Sequence, residues 1–177
     1  MKTRNFPARS LIASAMVLVA ALAVAGAKKE ASPSLYQGKD AKEAAAALLQ
    51  RAEQQAEDGS WELIAVARVY YLSGDQQKAQ ALFDRAVSKD AGSGDWRRIA
   101  AVYIEAKDYD KATATLERAL AESPKESKIL AELGAAYNLK GDRAKAEEMF
   151  ARAFAINPEE FWNTANAAGS YVGVRPK

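Results

Sequence analysis

The chain repeats itself with a period of 33 to 34 residues, and this repetition limits its possible folds more than any other feature. Aligned on Ala79, Ala112 and Ala146, which are spaced by 33 and 34 residues, the flanking residues fall into step. Upstream of each alanine, a small residue precedes a tyrosine by three positions: Ala67 and Tyr70, Ala100 and Tyr103, Gly134 and Tyr137. Downstream, an apolar residue is followed by alanine: Phe83 and Ala86, Leu116 and Ala119, Phe150 and Ala153. Periods of this length indicate stacked units that share one apolar core.

Within each unit, the apolar spacing predicts two amphipathic helices, A and B. Helix B of the third unit has apolar residues at i, i+3, i+4, i+7 and i+8: Ala146, Met149, Phe150, Ala153 and Phe154. The dipeptides between the two helices are Gly74-Asp75, Lys107-Asp108 and Gly141-Asp142. Glycine suits the left-handed position after a helix, and aspartate can cap the next one. Breaks at intervals of about a dozen residues argue against a coiled coil.

This pattern resembles the tetratricopeptide repeat family, whose motif W-x2-L-G-x2-Y…A-x3-F…P recurs with a 34-residue period. The second unit keeps the motif at Trp96, Ile99, Ala100, Tyr103, Ala112, Leu116, Ala119 and Pro124. The third keeps it at Leu130, Leu133, Gly134, Tyr137, Ala146, Phe150, Ala153 and Pro158. The first unit has Ala91 in place of the proline and is one residue short, so its Gly92-Ser93-Gly94 loop is predicted to change the angle to the second unit. The resemblance implies an all-α fold, a right-handed α-solenoid of antiparallel helix hairpins with about three units and flanking helices.

The repeat divides the chain into seven segments. They are a signal peptide (1–27), a linker (28–38), a leading helix or degenerate half-repeat (39–58), three units (60–92, 93–126 and 127–160) and a C-terminal capping helix with its tail (161–177).

The N-terminus resembles a secretory signal. Three basic residues, Lys2, Arg4 and Arg9, precede a fifteen-residue apolar stretch from Leu11 to Ala25, and small residues follow. Cleavage is predicted after Ala27 or Ala25, which would place the mature protein in the periplasm or outside the cell without membrane insertion. The alternative is an uncleaved anchor, although a spanning helix needs about 20 apolar residues.

Composition excludes several function classes. Three of the 25 basic residues lie in the leader, so 22 remain against 23 acidic residues, too few for a nucleic-acid-binding face. The chain has no cysteine and no histidine, which removes thiolate chemistry and the commonest general base and metal ligand. Adjacent carboxylates such as Glu147 and Glu148 point to different sides of a helix and cannot act as a facing pair. We therefore expect no catalytic residues, no metal site and no cofactor.

The resemblance implies that helix A residues line a concave groove, where a protein or peptide partner would bind. The groove residues are predicted to be Trp61, Ile64, Arg68, Tyr71, Leu72, Arg97, Ala101, Ile104, Lys128 and Asn138, with Glu105, Ala131, Ala135 and Leu139 beside them. In the first unit, Trp61, Tyr71 and Leu72 are predicted to project into the groove, where aromatic residues can dominate binding energy. The alternative is that the leading helix 39–57 folds over this face and buries it.

The two end segments each leave alternatives open. In the leading helix, Ala45, Leu49 and Ala52 repeat the helix B spacing, although Ala44 and Leu48 fit almost as well. In the last helix, polar residues are spaced as one face that would cap the array against solvent: Asn163, Asn166 and Ser170. The alternative for this end is a docking surface formed by Phe161, Trp162 and the tail.

The repeat and the leader together predict a non-catalytic exported scaffold or adaptor that binds a partner segment in its groove. Two alternatives remain open. The first is a self-associating structural subunit of a cell-envelope assembly, which would be a homo-oligomer. The second is a membrane-anchored adaptor, if the leader is not cleaved.

Overall fold

The computed structural model describes residues 32–175, and all regular secondary structure in this range is helical. A short 3₁₀ helix at Pro33–Leu35 precedes eight α-helices: α1 (Ala41–Ala56), α2 (Ser60–Leu72), α3 (Gln76–Ala86), α4 (Ser93–Glu105), α5 (Tyr109–Glu122), α6 (Ser127–Lys140), α7 (Arg143–Ile156) and α8 (Phe161–Tyr171). The leader predicted at residues 1–27 lies outside the described residues. None of the helices between residues 32 and 175 has the length and apolar character needed to cross a bilayer.

The three repeat units are helical hairpins, formed by α2 with α3, α4 with α5, and α6 with α7. Each hairpin turns tightly because helix B is capped by an aspartate. The carboxylates of Asp75, Asp108 and Asp142 accept hydrogen bonds from the backbone N–H groups of Lys78, Lys111 and Lys145, at 3.0, 3.3 and 3.2 Å. The predicted caps are therefore confirmed.

Small residues lie where the helices of a hairpin cross. Ala100, Ala112 and Ala146 are fully buried, and Gly134 is buried as well. A Cβ atom on Gly134 would lie 2.6 Å from the Phe150 ring and 3.0 Å from the carbonyl oxygen of Ala146, closer than van der Waals contact allows. The small residues of the repeat therefore permit close helix crossings, as the sequence predicts.

Successive units are joined in two different ways. Between the first and second units, α2 packs against α4, whereas between the second and third, α5 packs against α6. The first junction follows the loop with Ala91 in place of proline. The predicted change of angle at this loop stays a prediction, but the two junctions do differ in the pair of helices that packs most closely.

At the N-terminal end, α1 packs on α2. Leu49 and Ala52 contact the core, while Ala45 is exposed and Leu48 is 37% exposed. The helix therefore follows the predicted helix B spacing at Leu49 and Ala52 and departs from it at Ala45.

At the C-terminal end, the predicted orientation of α8 is wrong. Asn163, Asn166 and Ser170 do not face solvent but are buried, with exposures of 0%, 6% and 6%. Nearby backbone carbonyls make this possible, because they accept the polar hydrogens of these side chains. Asn163 donates to Asn157, Asn166 to Trp162 and Ser170 to Ala167, at distances of 3.1, 2.8 and 2.7 Å.

Candidate partner-binding groove

The A helices share one open face, and a cavity on this face lies between the first and third units. The cavity has a volume of 550 Å³, and its lining includes Ile104 of α4 and Leu139 of α6. Three cationic side chains border these apolar residues: Arg68 of α2, Lys107 of the α4–α5 turn and Arg175 of the tail. The cavity thus combines an apolar surface with a cationic border.

One carboxylate balances part of this positive charge. Glu105 forms a two-pronged ion pair with Arg68, in which the Nε–Oε2 distance is 2.7 Å. This hydrogen bond raises the pKa of Arg68, so the guanidinium stays charged. Within residues 32–175, Lys107 and Arg175 form no ion pair, so the border carries net positive charge.

Lys107 has an unusual backbone conformation. Its φ is +60°, whereas Gly74 and Gly141 occupy the corresponding turns of the other two units with φ of +100°. A side chain in the left-handed region costs about 1 kcal/mol relative to glycine. The second unit therefore places a lysine where the fold favours glycine, and this lysine lies at the cavity.

Most of the remaining predicted groove residues lie outside this cavity. Trp61 is 60% exposed, and the Arg98 guanidinium lies 3.5 Å from its ring centroid. Leu72 is 41% exposed, so α1 does not cover this part of the first unit. Lys128 forms an ion pair with Glu160 at 3.4 Å.

Arg97, Ala101 and Asn138 are half-buried on the same helices. The guanidinium of Arg97 binds Glu132 through two hydrogen bonds of 2.9 and 2.6 Å, and the Glu132 contact raises the pKa of Arg97. Asn138 donates to the Ser170 hydroxyl at 3.0 Å. Arg97 and Asn138 therefore form contacts between successive A helices and α8.

Four residues predicted in the groove or beside it belong to the core instead. Ile64 and Tyr71 are each only 4% exposed, and Ala131 and Ala135 are 0% and 6% exposed. The Tyr71 ring lies 6.2 Å from Phe83 and 5.1 Å from Tyr103, so it fills the space between the first two units. The prediction that Tyr71 projects into the groove is wrong, because the junction of α2 with α4 closes over its ring.

The Tyr71 hydroxyl forms hydrogen bonds with two residues across this junction. It donates to Asp108 at 2.7 Å and accepts from the Lys111 ammonium at 3.0 Å. Burial raises the pKa of Tyr71, which keeps the phenol protonated. Burial also works to raise the pKa of Asp108, but hydrogen bonds from Tyr71 and Lys111 outweigh it and hold that pKa below its ordinary value.

Four residues that line the cavity were not predicted from the sequence: Lys107, Tyr109, Gly173 and Arg175. Only Lys107 had a visible signal, because it replaces a glycine of the repeat. The tail residues have no counterpart in the repeat, so their return to the cavity could not be predicted from its register. Between residues 32 and 175, no group of acidic side chains is arranged to hold a metal ion.

Comparisons with known proteins agree with this architecture. A sequence profile described as tetratricopeptide repeat matches residues 103–167. The crystal structure of MamA aligns with a TM-score of 0.52 at 17% identity, over 75% of this chain and 80% of MamA. A second MamA structure gives 0.51 at 18% identity, over 75% and 72%.

A third structure is that of YrrB, described as a TPR protein with an unusual peptide-binding site. It aligns with a TM-score of 0.49 at 17% identity, over 74% of this chain and 68% of YrrB. No curated protein sequence matches the chain. Residues 103–167 match the tetratricopeptide repeat profile, and the three hairpins share their fold with MamA.

Proposed function

We propose that the chain is a non-catalytic scaffold that holds a segment of a partner protein on the concave face of its A helices. The observation that carries this proposal is the open 550 Å³ cavity, which has an apolar surface at Ile104 and Leu139. Its volume is in the range of about 300–1,000 Å³ that is usual for ligand pockets. Helical repeat proteins use such shared faces to bind extended partners.

The charges around the cavity define the partner segment. Arg68, Lys107 and Arg175 outnumber the single carboxylate of Glu105, so an acidic side chain would gain favourable contacts at the border. Ile104 and Leu139 would bury an apolar side chain next to it. We therefore propose a segment in which an acidic residue lies beside a leucine-sized apolar residue.

An array of short synthetic peptides tests this proposal, with leucines separated by acidic, neutral or basic residues. We expect the full chain to retain the acidic peptides and to release them as salt concentration rises. A Lys107→Glu variant should bind them about tenfold more weakly, which corresponds to about 1.4 kcal/mol. The matched control is Lys125→Glu, which makes the same charge change in an exposed loop.

Equal weakening by the two variants would show that only net charge matters and would reject the cavity as the site. Retention of the acidic and basic peptides to the same extent would reject the proposed partner chemistry.

We also propose that the protein is exported and works in the periplasm or outside the cell. The support is the basic and then apolar pattern of residues 1–27. N-terminal sequencing of the chain recovered from bacteria should find it starting at Lys28 or Gly26. A Leu18→Arg/Val19→Arg variant should stay unprocessed inside the cell, while Gln37→Arg in the linker should be processed normally. An intact N-terminus on membrane-bound protein would favour the anchored adaptor instead.

A further inference from the structure

Helix α8 occupies the position of a helix A, but no helix B follows it in the described part of the chain. In α6, the side that faces α7 is buried, including Leu130, Gly134 and Tyr137. The 2.6 Å separation between the Phe150 ring and a Cβ placed on Gly134 shows how closely a helix B approaches this side.

The corresponding side of α8 is largely open, although its Tyr171 ring contacts α7, 6.2 Å from the Phe150 ring. Thirty-four residues further on, Thr164, Ala168 and Tyr171 replace Leu130, Gly134 and Tyr137, and all three are exposed. Phe161, one helix turn before Thr164, is 69% exposed.

Helix α8 also lacks the composition of a solvent-facing helix. It has no charged residue between Phe161 and Tyr171, and its three buried polar residues point toward the array. A surface helix of a soluble protein normally places charged or polar residues outward and apolar residues inward. The outer side of α8 instead exposes Phe161, Ala168 and Tyr171, with Thr164 as its polar member, and it carries no charge.

At the other end of the array, α1 lacks the neighbouring helix that α8 resembles, a helix A, within the described residues. Helix α1 lies where a helix B would precede α2, and Glu53 ties it to α3 through Lys78 at 2.9 Å. No helix A precedes α1 within the described residues. Its outer side therefore exposes Ala41, Ala45 and Leu48, which are spaced at i, i+4 and i+7 on one face.

We propose that a second copy of the chain supplies the missing helix, with α1 of one copy packed on α8 of the next. Leu48, the exposed neighbour of the position that corresponds to Phe150, would then lie against Ala168. Charge does not oppose this contact, because α8 is uncharged and α1 has two bases (Lys42, Arg51) and two acids (Glu43, Glu53). One chain thus presents both of the faces that the contact needs.

This contact joins unlike surfaces, so it extends from head to tail. Heterologous interfaces generate rings or open filaments and do not stop at a two-fold dimer. In the assembled state, the solenoid would continue from one copy into the next.

Sedimentation velocity of the full chain over a range of concentrations tests the proposal. We expect species larger than dimers that grow with concentration. Ala168→Arg and Leu48→Arg should each abolish them, because either charge would be buried in the contact. The matched control is Ala114→Arg, an exposed position on α5 away from both ends, which should assemble like the parent chain. Circular dichroism should show that all three variants keep their helical content.

Mixing the two disrupted variants separates this geometry from a two-fold contact. Ala168→Arg keeps an intact α1 and Leu48→Arg keeps an intact α8, so the mixture should form dimers and nothing larger. The proposal is overturned if the parent chain is monomeric at every concentration, if the mixture stays monomeric, or if Ala114→Arg is equally disruptive.

Discussion

Helices α6 and α8 occupy the same register of the repeat, 34 residues apart, yet their surroundings differ. Ile129 of α6 and Asn163 of α8 correspond in register and are both fully buried, although one is apolar and the other is an amide. Gly134 and Ala168 also correspond, but only Gly134 is buried. The difference arises because α6 packs against α5, α7 and α8, whereas α8 packs mainly on α6. The register therefore places the helix, and its neighbours decide which of its sides is covered.

Exchanging the two buried residues gives the largest expected effect. Ile129→Asn should lower the free energy of unfolding by about 4 kcal/mol, because it buries an amide among apolar side chains and removes packing. Asn163→Ile should raise it by about 1 kcal/mol. The Asn163 Oδ1 atom is buried and has no hydrogen-bond partner among residues 32–175, and an unmet buried acceptor costs about 1–3 kcal/mol.

Urea denaturation of the two variants measures both changes. If Asn163→Ile is as damaging as Ile129→Asn, the Asn163 amide is an essential element of the α6–α8 contact and the two helices are more alike than their contacts indicate.

The second comparison concerns the sides that face a helix B. Gly134→Leu should lower the free energy of unfolding by about 3 kcal/mol, since the added atoms would overlap the Phe150 ring and the backbone of α7. Ala168→Leu should change it by less than about 0.5 kcal/mol in dilute protein, where the α8 side is open. Similar losses at the two positions would mean that Ala168 is covered within a single chain.

Much of the fold follows from sequence because the repeat contains redundant signals. Each hairpin has its own small residues, capping aspartate and apolar stripe, so an exception such as Lys107 in one turn does not hide the pattern. The orientation of α8 lacked this redundancy. Asn163, Asn166 and Ser170 form a polar stripe, and the usual interpretation of such a stripe is exposure to solvent. Their burial depends on carbonyl acceptors that only the folded backbone brings within reach.

Less of the groove could be predicted. Arg68 and Ile104 line the cavity as expected, whereas Tyr71 was assigned to it by register and instead fills the first junction. The register assumes equal junctions, whereas the helices that pack most closely are α2 and α4 at the first junction and α5 and α6 at the second. Arg175 enters the cavity from a tail that has no counterpart in the repeat.

The residues that join one unit to the next provide the third comparison. Tyr71 and Asn138 share a register position. Tyr71 bonds to Asp108 of the second unit, and Asn138 bonds to Ser170 of α8. Tyr71→Phe should cost about 2 kcal/mol, because its hydroxyl bonds to a carboxylate and an ammonium. Asn138→Ala should cost less than about 1 kcal/mol, because it loses one neutral hydrogen bond at a half-buried site. A smaller loss for Tyr71→Phe than for Asn138→Ala would show that the ring alone secures the first junction.

The Tyr71 effect should also depend on pH. The pKa of Asp108 is lower in the folded chain than its ordinary value, so its charge stabilises the fold above that ordinary value, about pH 4. This stabilisation is lost as pH falls from there through the folded pKa. The gap in unfolding free energy between the parent chain and Tyr71→Phe should therefore be full at neutral pH and shrink below about pH 4. A gap that is constant with pH would exclude the Asp108 carboxylate as the partner that matters.

The hairpin turns give the smallest effect and connect stability with binding. Lys107→Gly should raise the free energy of unfolding by about 1 kcal/mol, since glycine adopts the positive φ without strain, and Gly141→Lys should lower it by a similar amount. The same Lys107→Gly change removes a cation from the cavity border, so it should weaken binding of acidic peptides severalfold. Gly141→Lys should leave that binding intact, because Gly141 does not line the cavity. A Lys107→Gly variant that is more stable and binds as well as the parent chain would leave the lysine without a role in binding. A gain in stability with a loss of binding would show that the strained turn is maintained for the partner.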